Sequence, residues 1–87
     1  PEVLAEARIV YSGVLMDQGK EQDALELLKP HGKNLRAPKP FHIRQWYALA
    51  DVLEKMGDHT RARKLFERVV QFAPELGDVK SRIKALR

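Results

Sequence analysis

IRQWYALADVLEKMGDHTRARKLFERVVQFAP, residues 43–74, is the stretch on which the fold turns. Ile43, Trp46, Leu49, Ala50, Leu53 and Met56 recur at intervals of three and four, which is one face of a 3.6-residue helix and not the alternation of a strand. Gly57 follows, and glycine takes the left-handed conformation that closes a helix without a side-chain clash. Asp58 then offers a side-chain oxygen to the free amides of a second helix carrying Ala62, Leu65, Phe66, Val69 and Phe72. Pro74 ends that helix because proline cannot continue the hydrogen-bond ladder. Two helices joined by so short a turn lie antiparallel. Ala50 and Ala62 are small where the helices must approach, and Trp46, Leu53 and Phe66 supply the volume that seals the seam around them.

Working outward, residues 3–17 show the same helical spacing and end at Gly19, and a shorter helix with Ala24, Leu27 and Leu28 is cut off by Pro30 and Gly32. Downstream, Glu75-Leu76-Gly77 leads to Asp78 as a cap and to a last segment with Val79, Ile83 and Leu86 on one face and Lys80, Arg82, Lys84 and Arg87 on the other. Sliding the chain against itself by 38 residues sets Tyr11 on Leu49, Leu15 on Leu53, Gly19 on Gly57, Ala24 on Ala62 and Leu28 on Phe66. A single shift that matches large, small and glycine positions together marks a repeated unit.

At this point the chain resembles the tetratricopeptide repeat family, whose pattern runs Trp, two residues, Leu-Gly, two residues, Tyr, then Ala, three residues, Phe, then Pro. Trp46, Leu49, Ala50, Leu53, Ala62, Phe66 and Pro74 stand at those places with the spacings kept. The first unit departs from the pattern, with Arg8 at the tryptophan position and Ser12 at the small contact, and the extra length falls in the stretch Lys33 to Pro40. The resemblance covers about residues 6–76. It implies an all-α, right-handed α-solenoid of antiparallel helix pairs with a terminal cap helix. The expected layout is a single domain over 1–87: repeat one about 5–32, a linker 33–40, repeat two about 41–76 and a cap helix 78–87.

Composition narrows the function. The chain of 87 residues has 44% hydrophobic and 32% charged residues, which suits a small folded domain with a modest core. There is no cysteine, so disulfides, thiolate nucleophiles and most structural zinc sites are excluded, and a reducing cytoplasm is the expected setting. No apolar stretch approaches the ~20 residues needed to span a bilayer. The chain opens on Pro1-Glu2-Val3-Leu4 without an initiating methionine, and it is expected to be a piece of something longer. Ten of the fourteen residues from Val3 to Met16 are apolar, so this helix expects neighbours on several sides, either upstream repeats or a second copy. The net charge of +4 lies wholly in residues 43–87, which carry ten Lys/Arg against six Asp/Glu, while residues 1–42 carry six of each.

The resemblance implies a groove lined by the first helix of each unit, and hence docking of a peptide or partner protein as an adaptor or scaffold. It assigns Arg44, Tyr47, Ala48, Asp51 and Glu54 to that groove, with Glu6, Ile9, Val10, Gly13 and Asp17 beside them. Tyr47 is the expected anchor, exposed and stiff, with Arg44 and Asp51 fixing the register of the ligand. The family's carboxylate clamp of lysine, arginine and asparagine is not matched by Gly13, Ala48 and Asp51. Gly13 inside a helix costs about 1 kcal/mol relative to alanine, and a close approach by a neighbouring helix, rather than by ligand, is the favoured reason for it. Two rival readings stand beside docking: nucleic-acid binding through the basic second half, and a structural, homodimerising role. The basic helices carry no interleaved aromatic side chains of the kind that stack on bases, so the first rival is the weaker. No enzyme, metal or cofactor motif is present: His31, His42 and His59 lie in separate elements, and no nucleophile elbow or phosphate loop can be traced.

Overall fold

The computed structural model describes residues 2–28 and 38–86, and over these the chain forms five helices and no strand. They are α1 (Glu2–Asp17), α2 (Glu21–Leu28), α3 (Pro40–Lys55), α4 (His59–Phe72) and α5 (Val79–Ala85). The order is the expected one. Pro30, Gly32 and residues 33–37, where the sequence ends the second helix and places most of the linker, lie outside the described residues.

Helix ends follow from the local chemistry. Gly19 and Gly57 both adopt positive φ, at 75° and 87°. Around each, the glycine N–H donates to the carbonyl three residues back (Met16 and Glu54, both at 3.0 Å). The following N–H donates to the carbonyl five residues back, Lys20 to Leu15 at 2.8 Å and Asp58 to Leu53 at 2.9 Å. This paired closure uses carbonyls that would otherwise lack a partner, and it recurs at the 38-residue offset of the sequence repeat. Asp58 caps α4 as expected, its carboxylate accepting the Arg61 amide at 3.2 Å. At the start of α3, Pro40 occupies the first turn, where its missing N–H removes no bond. His42 Nδ1 there accepts the Lys39 N–H at 3.1 Å. Burial, then the charge of Lys39, holds the His42 imidazole below its usual range, which keeps that nitrogen available as an acceptor.

Packing runs along the chain: α1 on α2, α3 on α4, α4 on α5, with α3 also resting on α1 and α2. Ala24, Ala50 and Ala62 are each 0% exposed, so the three small contacts sit where helices touch. Trp46, Phe66, Leu28, Val52, Val69 and Val79 fill the space around them. The Cα radius of gyration is 12.0 Å, about the value for a compact chain of this length.

The first helix is the exception. Only Ala5, Ser12 and Leu15 of α1 are buried, while Val3, Val10 and Tyr11 are 80%, 68% and 55% exposed and Leu4 and Val14 are also open. The neighbours that its composition calls for are not found among the described residues. The repeat offset explains the pattern: Tyr11 and Val14 correspond to Leu49 and Val52, which are buried because α3 has a helix pair before it. The same offset does not rescue Gly13. A Cβ built there meets nothing within 4 Å among the described residues, and the correction is that no close approach by a described helix explains it.

Candidate partner-binding groove

Residues 6, 9, 13 and 17 share one face of α1, and residues 44, 47, 48, 51 and 55 share one face of α3. Since α1 and α3 pack side by side, the two faces form the banks of a trough. It consists of two adjoining depressions. One of about 370 Å³ lies between Ile9, Gly13 and Asp17 of α1 and Tyr47, Asp51 and Lys55 of α3. The other, of about 300 Å³, lies between Glu6, Ile9, Arg44, Tyr47, Leu76 and Gly77. Ile9, Tyr47 and Ala48 line both, so the floor is continuous.

Of the nine residues assigned to the groove from sequence, the structure brings seven to this trough: Glu6, Ile9, Gly13, Asp17, Arg44, Tyr47 and Asp51. Val10 is a correction, because it lies on the exposed stripe of α1 with Val3, Tyr11 and Val14, one helical step round from Ile9. Glu54 is a second one, since it lines neither depression and points instead to α5.

Of the charged residues of the trough, Glu6, Arg44, Asp51 and Lys55 are already partnered within the chain. Arg44 donates from Nε to Glu6 Oε1 at 2.6 Å and from Nη2 to the same oxygen, with Glu2 Oε1 3.8 Å away, which ties α3 to α1. At the other end the guanidinium of Arg82 reaches across from α5. It donates to Asp51 Oδ1 at 2.6 Å, Glu54 Oε1 at 2.7 Å and the Tyr47 hydroxyl at 3.2 Å. Its plane lies 4.7 Å from the Phe66 ring centroid and 5.4 Å from that of Tyr47, and those two rings meet edge to face. The Tyr47 hydroxyl in turn donates to Asp78. Lys55 Nζ completes the Asp51 carboxylate at 3.0 Å.

Ionisation follows this wiring. Burial alone would raise the Asp51 carboxyl, but hydrogen bonds from Arg82 and Lys55 outweigh it and hold the group below the usual carboxylate range. For Arg82, burial opposes the charge, and acceptance by Tyr47, Asp51 and Glu54 more than restores it, so the guanidinium stays ionised. Burial, then the hydrogen bond to Asp78, pushes the Tyr47 hydroxyl up, so it is neutral at any ordinary pH.

Three expectations change here. Tyr47 is half-buried and its polar tip is engaged by Asp78 and Arg82, so it is not the exposed anchor. Arg82 does not belong to the solvated outer face of the last helix, since its side chain is only 19% exposed. Asp78 makes no side-chain cap on α5, because its carboxylate is spent on Tyr47. A signal for Arg82 was present in the chain: positions 79, 82, 83 and 86 form one helical stripe, and Arg82 interrupts an otherwise apolar run. Gly77, at φ 52°, turns the chain so that Asp78 faces α3, and a Cβ there would stand 3.8 Å from the Tyr47 hydroxyl.

Among the described residues no group of three or more His, Cys, Asp and Glu side chains is placed to hold a metal ion, and no helix is long and apolar enough to cross a membrane. His31 lies outside the described residues. Among known proteins, the family model described as Tetratricopeptide repeat matches residues 43–76, which span α3, α4 and the turn after them. No curated protein and no solved structure gives a significant match. Residues 43–76, with their buried Ala50–Ala62 seam, are therefore identified as a tetratricopeptide repeat.

Proposed function

We propose that this chain is a non-catalytic docking module that receives a peptide segment of a partner protein in the trough between α1 and α3, in an adaptor or scaffold role. The matching family consists of protein–protein interaction repeats, and the shape of the trough supports docking there. One observation carries the reading: a continuous floor of Ile9, Ala48 and the Tyr47 ring runs between banks of charged residues. An apolar floor gives an extended or helical peptide its affinity, and ordered charges at the sides fix its register. The lining charges are Glu6, Asp17 and Asp51 against Arg44 and Lys55, three against two, so this face is slightly acidic within a chain of net charge +4. A neutral or basic peptide suits it.

Ala48→Arg tests this directly, because a long side chain raised from the shared floor fills the trough while the buried seam is untouched. Panning a random peptide library on the wild type and the variant is expected to give binders that lose about tenfold or more in affinity for the variant, roughly 1.4 kcal/mol. Binders that hold both proteins equally would place recognition elsewhere. Tyr47→Ala is the poorer choice, since Tyr47 also holds Asp78 and Arg82 and its loss would release α5.

A second contact is read from the exposed stripe of α1. Val3, Leu4, Val10, Tyr11 and Val14 present an exposed apolar face, and the repeat offset pairs Tyr11 and Val14 with the buried Leu49 and Val52, so a preceding helix pair or a second copy would cover it. Static light scattering over a hundredfold concentration range, for the wild type and Val10→Lys, separates the two. A mass that rises with concentration in the wild type alone indicates self-association, and a constant monomer mass excludes the homodimer. Nucleic-acid binding finds less support, because Arg82 is withdrawn into the network with Asp51 and Glu54.

A further inference from the structure

On the side of the molecule formed by α2 and α4, these two helices make no direct packing contact, and α3 shows between them. The gap is a depression of about 290 Å³, lined by Leu25 of α2, Leu49 and Leu53 of α3, and Leu65 of α4. Its remaining lining residues are Arg61, Lys64 and Arg68, all from α4, and no carboxylate lines it. We propose that this leucine-lined depression is a second docking site, distinct from the trough, which takes the leucine-type side chain of an acidic amphipathic helix whose carboxylates lie along α4.

The argument rests on size, shape and charge. A volume near 300 Å³ is at the lower bound of small-molecule pockets, and it is ample for one or two branched aliphatic side chains. Leu25, Leu49 and Leu53, each under 9% exposed, form the floor and Leu65 one wall, an apolar setting that suits a single anchor side chain. Arg61, Lys64, Leu65 and Arg68 stand at i, i+3, i+4 and i+7, so the three cations and the apolar wall form one ridge about two turns long. A partner helix with carboxylates spaced to meet the exposed Arg61 and Lys64 complements the sign of this ridge. The ridge is ordered: Arg61 is bridged to Asp58, and the Arg68 guanidinium lies 4.7 Å from the Trp46 ring centroid and 5.9 Å from that of Phe72. Arg61 has five N–H donors, and the bond from its Nε to Asp58 leaves others for a ligand. The carboxylates of α2, Glu21, Asp23 and Glu26, do not line the depression, so the acidic flank of the partner is directed to α4 and its opposite flank to α2. The chain's own 29–37 stretch has Lys29, Lys33 and Arg36 and no Asp or Glu, and it matches the rim in sign instead of complementing it.

The probe is a fluorescein-labelled helical peptide of about 15 residues, with leucines three and four residues apart and glutamates along one flank, read by fluorescence anisotropy at low salt. Saturable binding is expected. It should weaken tenfold or more for the doubly reversed variant Arg61→Glu/Lys64→Glu, whose positions are solvent-exposed and whose fold is checked by its melting curve. It should weaken as much when the probe's leucines become alanines, and stay unchanged in Ala48→Arg. Absence of saturable binding would overturn the proposal. So would equal binding of the alanine probe, which would mean plain attraction of a polyanion, as for a nucleic acid. Loss in Ala48→Arg with no loss in the doubly reversed variant would move the acidic helix to the trough, leaving the trough reading standing and this one failed.

Discussion

Phe66→Ala is expected to destabilise the chain by about 3–5 kcal/mol, the cost of deleting a fully buried aromatic ring from a core that cannot close over the space. Phe66 is 0% exposed and belongs to α4, yet it serves three helices. Its volume seals the seam that Ala50 and Ala62 open between α3 and α4. Its edge meets Tyr47 of α3 with ring centroids 5.4 Å apart, and its face carries the Arg82 guanidinium of α5 at 4.7 Å. Removal therefore takes away burial, an aromatic pair and one wall of the Arg82 site together. A small domain commonly has only about 5–15 kcal/mol in all, so the variant should be largely unfolded at moderate urea concentrations where the wild type is intact. An unchanged urea midpoint would mean that the helix pair is not assembled around this ring.

How much of this was legible beforehand depends on whether the information lay within one helix or between several. Trp46, Ala50, Ala62 and Phe66 could be read from the chain because burial on a helix is periodic and small residues at a crossing have few other uses. The two glycine turns could be read for the same local reason, since few residues other than glycine close a helix in the left-handed region. Most of the trough followed from that periodicity once the family was recognised, because the face of α3 opposite its core is fixed as soon as the core is known. Val10 went astray. The resemblance places it in the groove, but it stands about 100° round the helix from Ile9, which carries it off the trough and onto the outer stripe. Gly13 misled because an unfavourable residue invites an explanation, and the space around it supplies none. Tyr47, Asp78 and Arg82 were hidden more deeply. Their partners are about 30 residues apart, and although the stripe at 79, 82, 83 and 86 sets Arg82 on the inner face of α5, no spacing rule within a helix names the two carboxylates on α3 that it meets. The depression between α2 and α4 was hidden likewise, because it exists only through the failure of two helices to touch.

Arg82→Ala is expected to cost about 2 kcal/mol and, more tellingly, to detach α5 while the two helix pairs remain folded. Hydrogen bonds to charged groups contribute roughly 1.5–3 kcal/mol each when buried, and the 28% and 32% side-chain exposure of Asp51 and Glu54 calls for the lower end of any sum. The substitution leaves Asp51 with Lys55 alone and removes the guanidinium from above Phe66 and Tyr47. What remains to hold α5, a seven-residue helix too short to persist unaided, is Val79 and Ile83 with Leu86 at its end, and the Tyr47–Asp78 hydrogen bond just before it. Amide hydrogen exchange should then show residues 79–85 losing most of their protection while the amides of α3 and α4 keep theirs. Acid should reproduce part of the effect in the wild type. Asp51 has its carboxyl held below the usual value, so its contribution is complete above the unfolded value of about 4 and is lost as the pH falls through the lower, folded one. Protection in α5 that survives both the substitution and acidification would show that the apolar face alone docks the helix. The Arg82 network would then be an ornament of the groove's edge instead of the tie that closes it.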